Sequence, residues 1–270
     1  MTYKTILVHA APASEAQGRI RLAARLARAM QAHLIGSAPT GVSRYTPEAT
    51  RTFLAAPCAA LRDAARRALS RFERLASDEG VVSVETRLVD DETGVALALD
   101  ARYCDLVVVG GADGNPGPLR PQGLAQHLVL AGGRPVLVVP AGAEAALPGG
   151  AALVAWNAST QATRAIDGAL PLLRAARHAT VLGLSSGADD GGESGPRLAA
   201  FLRRHGVATR TAVRPAATDP GAALLAEAER CGASLLVMGA YGHARWREAL
   251  FHGPSATVLR RPACPILLAH

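Results

Sequence analysis

The sequence predicts an α/β protein built from two tandem, doubly wound, five-stranded parallel-sheet domains. Three observations carry this. Short apolar runs alternate with helix-patterned stretches along the 270 residues, the series restarts after residue 150, and both series end alike, in "RPVLVVP" and "CPILLAH", about 130 residues apart. Strands separated by helices need right-handed crossovers, so they form parallel sheets covered on both faces.

The elements follow in order. "TILVHA" (5–10) reads as a first strand. The helix after it carries Leu22, Ala23, Leu26, Ala27 and Met30 on one stripe. "HLIGSA" is the second strand, and Leu61, Ala65, Ala68, Phe72 and Leu75 mark a long second helix. "VSVETRLV" (82–89) alternates as a strand, "GVALALDARY" is helical, "DLVVVG" (105–110) is a buried strand, "LAQHLVLA" a helix and "RPVLVVP" (134–140) the last strand. "AGAEAALPGG" (141–150) is small and Gly/Pro-rich, which makes it a linker. The domains are therefore set at 1–140 and 151–270.

In the second half "AALVAW" (151–156) is a strand, followed by a helix with Ala162, Ile166, Ala169 and Leu173 on its stripe. "ATVLGL", "ATRTAV", "SLLVMG" and "CPILLAH" are the remaining strands, with "RLAAFLRRHG" and "PGAALLAEAERCG" as helices between them. The apolar last strands, "VLVV" (136–139) and "ILLA" (266–269), would be adhesive at an open edge, so they are expected to be paired or covered. This predicts a compact pseudo-dimer within one chain, with a homodimer through the last strands as a further contact.

Composition narrows the function. The chain is 49% hydrophobic and 19% charged, enough to bury a core, with a net charge of +7. Lys4 is the only lysine, and the arginines are scattered through Ala/Leu-rich helices, which reads as solvated helix faces rather than a nucleic-acid surface. The four cysteines, Cys58, Cys104, Cys231 and Cys264, form no Cys-x-x-Cys and read as thiols of a reducing compartment. No apolar run approaches membrane-spanning length, so no membrane partner is expected and the protein is placed in the cytoplasm.

"GAYGHARWREALFHGPSATVL" (239–259) follows "SLLVM". Ligands of such sheets bind at strand carboxyl ends where strand order reverses. A glycine there lets backbone approach a ligand, and consecutive N–H groups suit phosphate. Gly239 and Gly242 fit the first role; Gly253, Pro254 and Ser255 fit the start of a closing helix. Other chemistries fail on their own terms. No lysine follows a glycine loop as a Walker motif needs, and the Rossmann glycine pattern is absent. "SSGADDGGES" (185–194) follows a second strand, not a first, and its acids would repel pyrophosphate. His243 and His252 have no carboxylate or thiol beside them to complete a metal site, and Ser255 near His252 lacks an orienting acid.

"VMGAYGHARWREALFHGPSATVLRRPACPILLAH" resembles the carboxyl end of a universal stress protein domain, and "LVAWNAST" resembles that family's first strand and turn, usually spelled Asp-Gly-Ser. The resemblance extends over the chain and is closest to the tandem bacterial type. It implies an adenine nucleotide alpha hydrolase-like fold and a cytoplasmic stress-response regulator. That regulator would hold ATP or AMP in its second domain with little or no hydrolysis, and Mg only together with ATP. It also implies an unidentified protein partner. By the same resemblance, Gly239 and Gly242 are the leading glycines and Met238 borders the nucleotide. Ser255 stands on the phosphates beside Gly253, Ala155 and Leu184 line the adenine and ribose side, and Asn157 takes the place of the family's aspartate. His252 stands where the family has glycine, so it is expected to crowd the phosphates and weaken ATP binding at pH 8; His252→Gly would relieve this. In the first half Ala11 falls at the aspartate position and "GADGNPGPLRPQGLAQ" (111–126) has no glycine–serine cradle. That half is read as a partner domain without nucleotide. The alternative is a module of the same family that binds no nucleotide and acts through its surface.

Overall fold

A computed structural model describes residues 2–111, 123–142, 149–185, 193–215, 217–241, 253–260 and 262–270. It divides into two compact units, Thr2–Arg134 and Pro135–His270.

The amino-terminal unit runs β1 (Thr5–His9), α1 (Ala16–Met30), β2 (His33–Pro39), α2 (Glu48–Phe53), α3 (Ala55–Asp78), β3 (Val84–Val89), α4 (Thr93–Ala101), β4 (Leu106–Gly110) and α5 (Leu124–Ala131). Its strands lie in the order β3-β2-β1-β4, all parallel. β4 is buried at every position, as a strand covered on both faces must be, whereas edge strand β3 alternates between exposed and half-buried residues. Of the apolar stripe foreseen on the second helix, Ala65, Ala68, Phe72 and Leu75 lie on the buried face of α3, whereas Leu61 is exposed. Its Phe72 ring lies flat on β2, where a Cβ on Gly36 would stand 2.5 Å from Phe72 Cδ1. The short helix α2, set apart from α3, was not expected from the sequence pattern.

The carboxyl-terminal unit runs β5 (Val136–Val139), β6 (Ala151–Ala155), α6 (Thr160–Ala175), β7 (His178–Ser185), α7 (Ser194–Arg204), β8 (Thr209–Pro215), α8 (Pro220–Arg230), β9 (Ala233–Gly239), α9 (Pro254–Arg260) and β10 (Ile266–Ala269). The strand order is β5-β10-β9-β6-β7-β8. All neighbours are parallel except β5 and β10, which pair antiparallel with Leu137 opposite Leu267. The two halves thus contribute five strands each in chain order. The sheet is not wholly parallel, because the two apolar last strands satisfy each other. This pairing also explains why the division between the units falls before β5 and not after residue 140. β10 has β9 on its other edge, so the homodimer expected through the last strands has no free edge of β10 to use.

Among the described residues no helix is long and apolar enough to cross a membrane. All four cysteines are free. Cys264 is packed in the core, and burial pushes its thiol up to about 11.

Candidate functional site

Strand order reverses between β6 and β9: from β6 the chain runs outward to β7 and β8, and from β9 outward to β10. A doubly wound sheet opens its ligand crevice at the carboxyl ends of such a pair. Register brings the expected residues to these ends. Ala155 lies opposite Leu182 of β7 and Met238 of β9, and Gly239 lies opposite Ala269 of β10. Trp156 N–H donates to Leu182 O at 2.9 Å and Ala240 N–H to Ala269 O at 2.9 Å, so each ladder continues one residue beyond its strand. Met238 is buried, Ala155 and Gly239 are half-buried, and Asn157 is exposed. Leu184 is farther out, paired with Arg214 at the end of β7.

The turn after β6 is locally organised. Asn157 Oδ1 accepts Ser159 N–H at 3.2 Å and the Ser159 hydroxyl at 2.7 Å. Ser159 caps α6, its Oγ accepting Ala162 N–H at 3.2 Å. Between them Ala158 has φ of 56°, a left-handed conformation that disfavours a side chain. This is the position where the family has glycine. Tyr241, two residues past β9, is also left-handed, with φ of 59°. Each of the two switch strands is therefore followed by a strained non-glycine turn, a pattern that clusters at binding sites.

Two polar atoms here are buried and have no hydrogen-bond partner among the described residues: Trp156 Nε1 and the Tyr241 hydroxyl. Burial pushes the Tyr241 phenol up, so it stays a neutral donor. Neither residue was singled out from the sequence. The signal available was compositional, since the chain has only two tryptophans and four tyrosines and one of each falls at a strand exit.

Two of the expected site residues also carry local structural roles. Gly239 was assigned to close approach of a phosphate, but a Cβ there would press on Ala162 N and stand 2.6 Å from Gln161 C and 2.9 Å from Ala162 Cα. The first turn of α6 occupies that space. Asn157 was assigned to the base and ribose, but its oxygen is held by Ser159. Gly242 and His252 lie outside the described residues.

The closing helix is placed from beneath. Asp219 caps α8 by accepting Gly221 N–H at 2.9 Å and Ala222 N–H at 3.1 Å. A Cβ on Gly221 would meet Thr257 Cβ at 2.6 Å, so α9 lies directly on the start of α8. Gly253 begins that turn, its carbonyl accepting Ala256 N–H at 2.9 Å, and Ser255 is buried in it. The described groups at these exits donate and accept hydrogen bonds but form no acid–base–nucleophile relay. Among the described residues no group of three or more His, Cys, Asp or Glu is placed to hold a metal.

The corresponding switch point of the amino-terminal unit lies between β1 and β4. Here arginines hold the loop. Arg71 Nη2 donates to Pro12 O at 2.8 Å, and the buried Arg19 donates through Nε to His9 O at 2.8 Å. Ala11, at the aspartate position, is buried.

The sequence profile of the universal stress protein family matches residues 151–270. No curated protein matches the chain. Among solved structures, a universal stress protein from Archaeoglobus fulgidus is similar over 98% of this chain and 95% of its own, at TM-score 0.76 and 13% identity. A putative universal stress protein from Pseudomonas aeruginosa is similar over 99% of this chain and 93% of its own, at TM-score 0.61 and 17% identity. These two likenesses establish the fold along the whole chain, and residues 151–270 form a universal stress protein domain.

Proposed function

We propose that the carboxyl-terminal unit binds an adenine nucleotide, ATP or AMP, at the exits of β6 and β9, with Mg entering only with ATP. The protein then acts in the cytoplasm as a stress-response regulator rather than an enzyme. The observation that carries this is the switch point itself: both exits hold a left-handed non-glycine residue, Ala158 and Tyr241, and Trp156 Nε1 and the Tyr241 hydroxyl are buried without partners among the described residues. Such groups cost about 1–3 kcal/mol each when left unsatisfied, so a ligand that satisfies them is favoured. The ligand class comes from the family resemblance. The absence of a nucleophile–base pair among the described exit residues, and of any lysine other than Lys4, supports binding without turnover.

The test is isothermal titration of ATP and AMP, with phosphate release followed in parallel. Saturable binding with turnover far below about one per second supports the proposal. A specific observation favours a second reading, an interaction module without nucleotide: Gly239 and Asn157 are each accounted for by packing and capping alone. Absence of saturable heat with both nucleotides would select that reading.

A further inference from the structure

The amino-terminal unit contains a cleft of about 550 Å³ between α1 and α3, far in sequence from either switch strand of the other unit. Its walls are Gln17 and Arg21, one helical turn apart on α1, and Arg71, Arg74 and Asp78 on α3, with Leu75 as a buried floor. The charges have unequal freedom. Arg21 pairs with Glu79 at 3.3 Å, and Glu79 is also held by Arg25 at 3.0 Å, which keeps its carboxyl below the usual range. Arg71 is fixed by its bond to Pro12 O, yet its Nε is buried and has no partner among the described residues. Arg74 is exposed, and its guanidinium has no hydrogen-bond or ion-pair partner among the described residues. Counting Arg21, Arg25, Arg71 and Arg74 against Asp78 and Glu79, four cations minus two anions leave a surplus of two positive charges.

We propose that this cleft binds a small, multiply charged phosphate compound of pyrophosphate type. Guanidinium groups present paired N–H donors that match phosphate oxygens, and two or more converging arginines select for more than one charge. The volume lies within the range of roughly 300–1,000 Å³ typical of small-molecule sites, which favours a small polyphosphate over an extended polymer. Because the cleft is solvated, binding is expected in the micromolar to millimolar range. This site is independent of the nucleotide reading, since it lies in the other unit.

Titration of the full chain with pyrophosphate tests it, with sulfate at matched ionic strength as the control. Arg74→Gln removes a cation whose side chain holds no partner among the described residues, and Gln17→Glu places a repelling charge on the opposite wall; neither residue is buried in the core. Each is expected to weaken pyrophosphate about five- to tenfold with unchanged circular dichroism and melting, whereas Arg204→Gln on the other unit changes nothing. Equal displacement by sulfate would mean an adventitious ion only. An equal loss in Arg204→Gln, or no loss in the two cleft variants, would overturn the site, the latter moving any pyrophosphate heat to the carboxyl-terminal exits. Much tighter binding of a single-stranded oligonucleotide would overturn the small-molecule occupant.

Discussion

The two switch points of this chain solve the same backbone problem in different ways. At the end of β1 and in the loop after it, the carbonyls of His9 and Pro12 are taken by arginine side chains from α1 and α3. After β6, the turn is held by short side chains on the chain itself, Asn157 and Ser159, and no arginine bond to its carbonyls is found among the described residues. The first arrangement places guanidinium groups over the loop that would otherwise face a ligand. The second keeps its polar fastening beside the helix and leaves Trp156 and Tyr241 with buried atoms unmatched among the described residues. A repeated fold therefore does not imply a repeated site: the side chains that satisfy the loop decide whether the crevice is tied down or available.

The sharpest way to break this comparison is Gly239→Ala. The atoms a new Cβ would strike are backbone atoms of α6, which cannot rotate away. Overpacking of this kind costs about 1–3 kcal/mol, and urea unfolding should show that loss. A neutral result would return Gly239 to the ligand-facing role assigned from sequence.

Next in size is Arg71→Ala. Loss of a charged donor from the β1–α1 loop should destabilise the protein by about 1–2 kcal/mol and raise amide exchange in residues 10–14. If exchange there does not change, the loop is not held by this arginine and the contrast between the units loses its main support.

Ala158→Gly has a smaller effect and the opposite sign. Removing a side chain at φ of 56° relieves strain, partly offset by the greater freedom of glycine in the unfolded chain, for a net gain of about 0.5–1 kcal/mol. A rise in the urea midpoint is the expected reading, and a fall would mean the strain is not present.

These variants also show where sequence reasoning reached and where it stopped. Most of the ten strands were legible as short apolar runs and β3 as an alternating one, and Phe72 and Leu75 marked the buried face of α3 through spacing alone. The antiparallel pairing of β5 with β10 was legible only as a need, since hydrophobicity says that an edge must be covered but not in which direction. The ends of β6 and β9 read from the sequence lie within a residue of those of the structure, with Ala155, Met238 and Gly239 at the exits of these strands. The reason for Gly239 lay in a helix that begins some eighty residues earlier, which no local pattern reports. Tyr241 and Trp156 were missed because an unmatched polar atom is a property of surroundings rather than of residue type.

The finest test is Asn157→Asp. The present oxygen accepts two hydrogen bonds from Ser159, and a carboxylate can accept both, so the turn should survive. An added negative charge just before the α6 amino terminus is mildly favourable, so stability should change by less than about 0.5 kcal/mol. Its second oxygen remains free to meet a ribose hydroxyl, the contact implied by the family resemblance. Adenosine is the appropriate probe, because it carries no phosphate for the new charge to repel. Charge-assisted hydrogen bonds are about twice as strong as neutral ones, which predicts a roughly three- to tenfold gain in adenosine affinity. Pyrophosphate binding in the amino-terminal cleft should stay unchanged. A stable variant with no gain would remove the β6 exit from the base and ribose side. A loss above about 1 kcal/mol would instead show that the amide nitrogen of Asn157 holds something the acid cannot.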